Sequence, residues 1–284
     1  MENGSVVFVT GATGNQGGSV TRHLLRNGFR VIALVRDPGS ARAKRLIHGN
    51  IEIVVGDLNV PSSYERHLSK ADLVFCNLHF NEGVDKEIRQ GVQLTSLAKE
   101  RGVRHMVYSS VIGCDLNTGI PHWESKNIIE KHIRASGLNH TILRPASLYE
   151  NLLLPQVKSR ISKGKLVSPV KPDRVQQFIG ADDIGRVSAQ VFSDTAKYAG
   201  QIIPLASERM DGRQLAALFS EVLEMQVKYQ QLPSLITRLF MGKGLAAMFR
   251  WVNNNDVLFA KDIEGLKSEF PGMTSLRKWI RDNF

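Results

Sequence analysis

The sequence predicts an α/β fold: a doubly wound parallel sheet with a smaller C-terminal α/β lobe. Over the first 150 residues, short β-branched runs alternate with longer helical patterns, as they do in βαβ units. The strand-like runs are apolar at consecutive positions, which indicates strands covered by helices on both faces. The first run leads directly into a glycine-rich turn and then into a helix.

Six strands are predicted in the N-terminal part of the chain. They lie near residues 5–10, 30–35, 51–55, 72–77, 105–110 and 140–144. Between the first two, Val20, Leu24 and Leu25 share one face of a helix. A second apolar stripe begins at Ile88 and belongs to a helix that ends at Gly102.

After about residue 145 the alternation becomes less regular, and prolines separate shorter elements. We expect helices near 181–192, 211–225, 235–252 and 275–282, and the interval 201–205 could return to the main sheet. The predicted division is therefore a sheet domain over residues 1–150 and a smaller lobe over 151–284. The aromatic and Met residues of the third of these helices are expected in the lobe core rather than in a substrate box, although some should line the cleft: Phe240, Met241, Met248, Phe249 and Trp251.

Composition excludes several classes of protein. Hydrophobic residues make up 42% and charged residues 23%, as in an ordinary globular domain. Cys76 and Cys114 are too few for a disulfide framework and are expected to be small buried hydrophobic residues in a reducing compartment. No apolar run approaches the ~18 residues of a membrane span, and no leader pattern is evident, so we expect a cytoplasmic protein without membrane contact.

The charge is unusual, because 37 basic and 27 acidic residues give a net charge of +10. Such an excess raises the hypothesis of a polyanionic partner. No helix-turn-helix or zinc-type spacing accompanies it, so we expect neither nucleic acid nor a metal site.

The glycine-rich turn is the strongest chemical motif. It has the form G-x-x-G-x-x-G between a buried strand and a helix, where backbone N–H groups and the helix N-terminus attract a pyrophosphate. The order strand, turn, helix and second strand matches the dinucleotide-binding unit of a Rossmann sheet, whereas the alternative is a tight structural turn. The predicted phosphate-side residues are Gly11, Thr13, Gly14, Asn15, Gln16 and Gly17.

The second strand ends in a basic cluster that predicts NADP(H) as the cofactor. Arg36 takes the position that faces the adenosine ribose, where its planar guanidinium suits a 2′-phosphate. Asp37 is a complication, since it could turn inward and disfavour the phosphate. The alternative is a solvated basic turn, to which three further cations belong: Arg42, Lys44 and Arg45.

Polar residues also follow the third and fourth strands. Asp57 could bond the adenine amino group, and Asn77, Leu78 and His79 are expected beside the ribose and nicotinamide. Each alone is as well explained by ordinary loop chemistry. Together they lie where successive strand ends converge on a cofactor.

The chain resembles the NmrA-like branch of the atypical short-chain dehydrogenase/reductases. The segments that carry the resemblance are GATGNQGGSV, the Arg36 position, VRHMVYSSV, and LRPASLYENLL followed by FIGADDIG. The resemblance implies a Rossmann domain, a small C-terminal lobe and preferential NADP(H) binding. It also implies that a lysine after the fifth strand, Arg89 and the loop Leu148, Tyr149, Glu150 and Asn151 approach the cofactor.

The parent superfamily uses a Tyr-x-x-x-Lys pair and an upstream serine. This chain reads HWESK, with His122 at the tyrosine position and Lys126 four residues later on the same helix face. Ser109 or Ser110 is the candidate serine. Histidine can act as a general acid near neutral pH, so Lys126 and His122 are the candidate catalytic residues, although a solvated helix-start histidine is the alternative.

A second basic stretch runs from Lys158 to Arg174. It is interpreted either as a solvated loop or as a surface for an anionic substrate or partner. Aromatic residues are not interleaved with its charges, which disfavours a single-stranded nucleic-acid platform.

Two functions remain open from the sequence. The first is an NADPH-dependent reductase of a small carbonyl, quinone or enone, with the substrate held by the C-terminal lobe. The second is a non-catalytic redox-sensing regulator that binds a protein partner differently with NADPH and NADP⁺. The patterns identify neither the substrate nor the oligomeric state.

Overall fold

The computed structural model describes residues 4–46 and 49–284. The strands are β1 Val6–Val9, β2 Arg30–Val35, β3 Ile51–Val55, β4 Leu73–Asn77, β5 His105–Ser109, β6 His140–Pro145, β7 Ser147–Leu148, β8 Lys165–Ser168, β9 Gln176–Ile179, β10 Ile202–Leu205, β11 Glu208–Met210 and β12 Lys228–Gln231. The helices are α1 Asn15–Arg26, α2 Ala41–Lys44, α3 Glu65–Leu68, α4 Val84–Glu100, α5 Pro121–Ala135, α6 Pro155–Ile161, α7 Ala181–Ser193, α8 Thr195–Tyr198, α9 Gly212–Val222, α10 Ser234–Asn254, α11 Ile263–Glu269 and α12 Leu276–Asn283.

The central sheet has seven strands in the order β10-β6-β5-β4-β1-β2-β3. The pairs formed among β1 to β6 are parallel, so the predicted doubly wound fold is confirmed. The order reverses between β1 and β4, and ligands of such sheets bind beyond the strand carboxyl ends at that reversal. The fold therefore places a candidate site at the ends of these two strands.

Burial explains why the predicted strands were recognisable. All four residues of β1 are buried, as are all five of β5. Helices cover the sheet, and α1 packs on α7. The helices predicted near 181–192 and 211–225 are α7 and α9, and the interval 201–205 forms β10 of the main sheet.

The chain divides into two compact units. The first comprises residues 4–46, 49–116, 122–144 and 181–203, and the second comprises 117–121, 145–180 and 204–284. The second unit contains a three-stranded sheet, β11-β9-β7, and the pair β12-β8. Its core includes Tyr149, Phe219 and Trp279. The boundary expected at residue 150 stays a prediction.

The expected packing of α10 is partly wrong. Phe240 is 78% exposed and Met241 is 39% exposed, whereas Met248, Phe249 and Trp251 are partly buried. The helix breaks at Gly242, where φ is 78°, and the segment before the break buries Thr237 instead. The aromatic and Met residue types predicted core positions, but residue type did not show which of these side chains are turned inward.

Cys76 and Cys114 are free and buried, as predicted, and burial raises the pKa of each thiol to about 12. No helix in the described ranges, 4–46 and 49–284, is long and apolar enough to cross a bilayer.

Candidate functional site: a groove at the strand ends

The glycine turn joins β1 to α1 with very little free space. Gly11 has a φ of 65°, and a Cβ added to Gly17 would lie 2.2 Å from the carbonyl oxygen of Gly11. Gly14 precedes the helix in an extended conformation, and no side chain caps the helix N-terminus. Because the first turn of α1 also contains no acidic residue, its N–H groups are suited to an anion such as a pyrophosphate.

Two polar contacts hold this turn against neighbouring strands. Thr10 Oγ1 donates to the carbonyl oxygen of Asn77 at 2.9 Å and accepts from its backbone N–H at 2.8 Å. Ser109 Oγ donates to Gln16 Oε1 at 2.6 Å. Of the two candidate serines, Ser109 is thus the one that contacts the predicted phosphate turn. Thr10 was not predicted, since no motif distinguishes it from other strand residues.

A groove lies beyond the strand ends within the first unit, and we call it the strand-end groove. Most of the residues predicted at successive strand ends line it. Its lining comprises Gly11, Thr13, Leu34, Val35, Arg36, Gly56, Asp57, Leu58, Asn77, Leu78, His79, Glu82 and Gln90. The structure therefore brings the glycine turn, the Arg36 position and the residues after β3 and β4 to one place.

Arg36 lies at the end of β2 and forms an ion pair with Glu82. The side chain of Arg36 is 73% exposed, so its guanidinium remains accessible to a ligand in the groove. Asp37 turns away from this position, because its Oδ1 accepts the backbone N–H of Gly39 at 2.8 Å. The Asp37 carboxylate is therefore engaged in its own turn and does not line the groove. The acidic residue that does lie beside Arg36 in the groove is Glu82.

Asp57 is partly engaged in its own loop. Its Oδ1 accepts the backbone N–H and the side-chain amide of Asn59, both at 2.8 Å. Gln90 in turn donates to Asn59 Oδ1 at 3.1 Å. The other cations of the basic cluster lie on or next to α2, are exposed and do not line the groove: Arg42, Lys44 and Arg45.

Lys126 is buried beside the groove and has an acidic partner that the sequence did not reveal. Its Nζ lies 2.9 Å from Glu87 Oε1 and donates to the carbonyl oxygen of Leu78, a groove residue, at 3.1 Å. Ser125 Oγ donates to the second carboxylate oxygen of Glu87 at 2.5 Å. The contact between Lys126 and Glu87 Oε1 is an ion pair and not an aligned hydrogen bond, and among the described residues no other group donates to Oε1. This arrangement keeps a cation fixed behind Leu78.

His122 is buried, so the alternative of a solvated histidine at the helix start is wrong. His122 is 8% exposed, and its ring stacks on Phe80 with centroids 4.8 Å apart. Burial lowers its pKa below the ordinary histidine value, with Glu87 opposing and Lys126 adding to this shift. The pKa of His79 is lowered too, first by desolvation and then by the charge of Lys126. Both imidazoles are therefore largely neutral at pH 7.

The residues whose cofactor role only the resemblance implied do not line the strand-end groove. Arg89 is exposed on α4 and does not line the groove. Tyr149 is fully buried in the second unit, where its hydroxyl lies 2.9 Å from Ser207 Oγ. Leu148, Glu150 and Asn151 adjoin it in β7 and a short 3-10 helix. Their cofactor roles stay predictions.

The basic stretch from Lys158 to Arg174 is not a simple loop, since it includes most of α6 and all of β8. Two of its cations have structural partners within the second unit. Lys158 donates to the carbonyl oxygen of Asn283, and Arg174 lies 3.6 Å from Asp256. These contacts account for part of the excess charge without an external ligand.

Comparison with known proteins identifies the family. A model of the NmrA-like family matches residues 3–279 of the chain. The chain belongs to the NmrA-like family. An NAD(P)H azoreductase of Xenophilus azovorans is 28% identical over 249 residues, which cover 85% of this NmrA-like chain and 84% of the relative.

A regulatory relative and a solved enzyme are also similar. The nitrogen metabolite repression protein nmrA of Emericella nidulans is 30% identical over 243 residues, covering 80% of this chain and 68% of that protein. The triphenylmethane reductase of Citrobacter sp., crystallised with NADP(H), matches with a TM-score of 0.84 and 21% identity over 99% of this chain and 100% of the other. That structural likeness shows the shared fold. The NmrA-like resemblance noted from the motifs is thus confirmed.

Proposed function

We propose that this NmrA-like chain binds NADP(H) and reduces a small carbonyl, quinone or enone. The observation that carries the proposal is the strand-end groove, where the glycine turn and Arg36 meet Leu78, the residue whose carbonyl oxygen holds Lys126. A phosphate-binding turn and an exposed arginine after the second strand suit such a cofactor, and the resemblance implies the buried lysine for its nicotinamide half. The NAD(P)H azoreductase relative supports NAD(P)H-dependent reduction as the general reaction class.

The residues present fit each end of the cofactor. The uncapped N-terminus of α1 and the turn from Gly11 to Gly17 would hold the pyrophosphate. Arg36 would bind the 2′-phosphate, with Asp57 near the adenine. Asn77, Leu78 and His79 would line the side towards the nicotinamide.

Lys126 would hold the nicotinamide ribose, as the resemblance implies. A buried ammonium group is costly without a compensating charge, and Glu87 supplies that charge at 2.9 Å. Glu87 is fixed in turn by Ser125. The chain thereby keeps one cation fixed beside the groove, behind Leu78.

When bound, NADPH supplies a hydride to the electrophilic carbon of the substrate. The substrate oxygen must then take a proton, and His122 is the candidate donor, with water as the alternative. Because the pKa of His122 is lowered, its protonated form is scarce at pH 7 and grows as the solution is acidified.

A regulatory role is the second candidate. His122 stands where the superfamily tyrosine would be, and α10 exposes apolar side chains before its break: Leu235, Ile236, Leu239, Phe240 and Met241. Such a cluster suits a protein partner more than solvent. In this version, the affinity for the partner depends on whether NADPH or NADP⁺ is bound.

The decisive binding experiment titrates NADPH, NADP⁺, NADH and NAD⁺ onto wild type and Arg36→Ala. Loss of a charge-assisted phosphate contact should cost about 1 to 3 kcal/mol for NADPH, or roughly five- to 150-fold in Kd. Arg101→Ala is a matched control, because Arg101 is an exposed arginine paired with Glu65 outside the groove lining. Equal weakening by both variants, or no NADPH binding at all, would reject the cofactor assignment.

Measuring NADPH consumption distinguishes the reductase from the regulator. A panel of quinones, enones and carbonyls should consume NADPH with wild type, and Lys126→Met combined with Glu87→Gln should abolish turnover without leaving a buried unpaired charge. If no substrate consumes NADPH while a partner discriminates NADPH from NADP⁺, the regulatory role replaces the enzymatic one.

A further inference from the structure

Glu82 is an acidic residue within the groove that the cofactor proposal does not use. It ends the 3-10 helix Phe80–Glu82, directly before α4, and lines the groove together with Arg36. One carboxylate oxygen, Oε1, pairs with Arg36. The other, Oε2, lies 3.7 Å from Lys86 Nζ. The carboxylate therefore lies between two cations, one on each side.

The pair with Arg36 conflicts with phosphate binding. A guanidinium that grips a phosphate through two parallel N–H groups has fewer donors left for a carboxylate. A 2′-phosphate carries more than one negative charge, so it also repels any carboxylate that stays within a few ångströms. Because Glu82 engages only Nη1 of Arg36, a phosphate can reach the other donors, but it weakens this pair and favours a carboxylate position farther from the phosphate.

Lys86 provides a place for the displaced carboxylate. It lies in the first turn of α4, four residues after Glu82, and its Nζ already approaches the second carboxylate oxygen. Glu82 is 40% exposed, so a change of rotamer meets little packing resistance. The exchange needs no rearrangement of the strands.

We propose that Glu82 is a specificity-determining residue that competes with the 2′-phosphate for Arg36 and so reduces the preference for NADP(H) over NAD(H). The inference rests on the proposed cofactor site. NAD(H) lacks the 2′-phosphate and leaves the Arg36–Glu82 pair in place. The carboxylate can also accept a hydrogen bond from a ribose 2′-hydroxyl, as the acid of NAD-selective sites does. One groove thus accommodates both cofactors, and the balance between them depends on Glu82.

The test measures Kd for NADPH and for NADH by fluorescence titration of the full chain. In Glu82→Gln the ratio of NADH Kd to NADPH Kd should rise roughly tenfold, since one unit of repulsion against the phosphate is removed. Glu65→Gln is the matched control: it removes the same charge from another exposed Glu–Arg pair in the same unit, outside the groove lining. A ratio in Glu82→Gln that falls, or that changes less than about twofold, overturns the inference.

A double variant tests the competition itself. In the Arg36→Ala background, Glu82→Gln should improve NADPH binding by a smaller factor, because no guanidinium remains to be released. An equal factor in both backgrounds would overturn the competition, because Glu82 would then act on the phosphate through charge alone.

Failure of the proposed cofactor site and failure of the proposed role of Glu82 give different results. If wild type binds neither nucleotide, or if Arg36→Ala leaves NADPH Kd unchanged, the site itself is wrong. If Arg36→Ala weakens NADPH while Glu82→Gln leaves the ratio unchanged, only the role of Glu82 is wrong.

Discussion

Replacing Glu87 by glutamine removes one charge of the buried pair with little change in volume. The Glu87 side chain is fully buried, that of Lys126 is 9% exposed, and Glu87 Oε1 lies 2.9 Å from Lys126 Nζ. At this distance two unit charges attract by roughly 6 kcal/mol for an effective dielectric constant near 20. The variant keeps Lys126 buried but loses this attraction, so we expect its free energy of unfolding to fall by about 3 to 5 kcal/mol. The melting temperature should drop by roughly 10 °C.

Urea unfolding followed by circular dichroism measures the change. Adding Lys126→Met to Glu87→Gln should recover much of the loss, because no unpaired charge then remains buried. The control Glu65→Gln removes an exposed carboxylate and should leave stability nearly unchanged. A loss below about 1 kcal/mol in Glu87→Gln, or a double variant no more stable than the single one, would refute the reasoning.

Gly17→Ala should weaken NADPH binding by more than tenfold, roughly the effect of losing one phosphate contact, because its Cβ would lie 2.2 Å from the oxygen of Gly11; an unchanged Kd would contradict the tight turn. If His122 donates the proton, kcat should fall as pH rises through its lowered pKa, and His122→Gln should flatten the pH–rate profile; an identical profile in the variant would exclude that role. The pKa of Asp182 is lowered, chiefly by its close contact with His23, whose Nε2 lies 3.0 Å from Asp182 Oδ2. Asp182 therefore adds stability above the ordinary Asp pKa, and this stability is lost as pH falls through the folded-state value. Asp182→Asn should show a weaker acid dependence of the unfolding free energy. Equal slopes for wild type and Asp182→Asn would count against this pair.

The sheet could be predicted because its signals are local. β1, β2 and β4 are runs of consecutive apolar residues, and burial of both sheet faces demands that pattern. Arg36 was identifiable for the same reason, since the residue that follows β2 occupies a fixed place in the dinucleotide-binding unit.

The polar partners could not be predicted, because their contacts join distant parts of the chain. Thr10 and Asn77 are 67 positions apart, and Arg36 and Glu82 are 46 apart. Glu87 looks like a solvent-facing residue of an amphipathic helix until α5 brings Lys126 against it. The exposure of Phe240 and Met241 on α10 was misjudged because residue type alone does not show which side chains of a helix face inward.

The position of β10 has a consequence for how the chain can be divided. β10 lies beside β6 in the central sheet, and the N–H of Ile142 donates to the carbonyl oxygen of Gln201 at 2.9 Å. A fragment that stops at residue 150 would leave β6 as a bare edge whose unpaired backbone groups invite another chain to add a strand. It would also lack α7, which packs on α1. During synthesis, the sheet therefore gains its last strand only once the ribosome has passed Leu205.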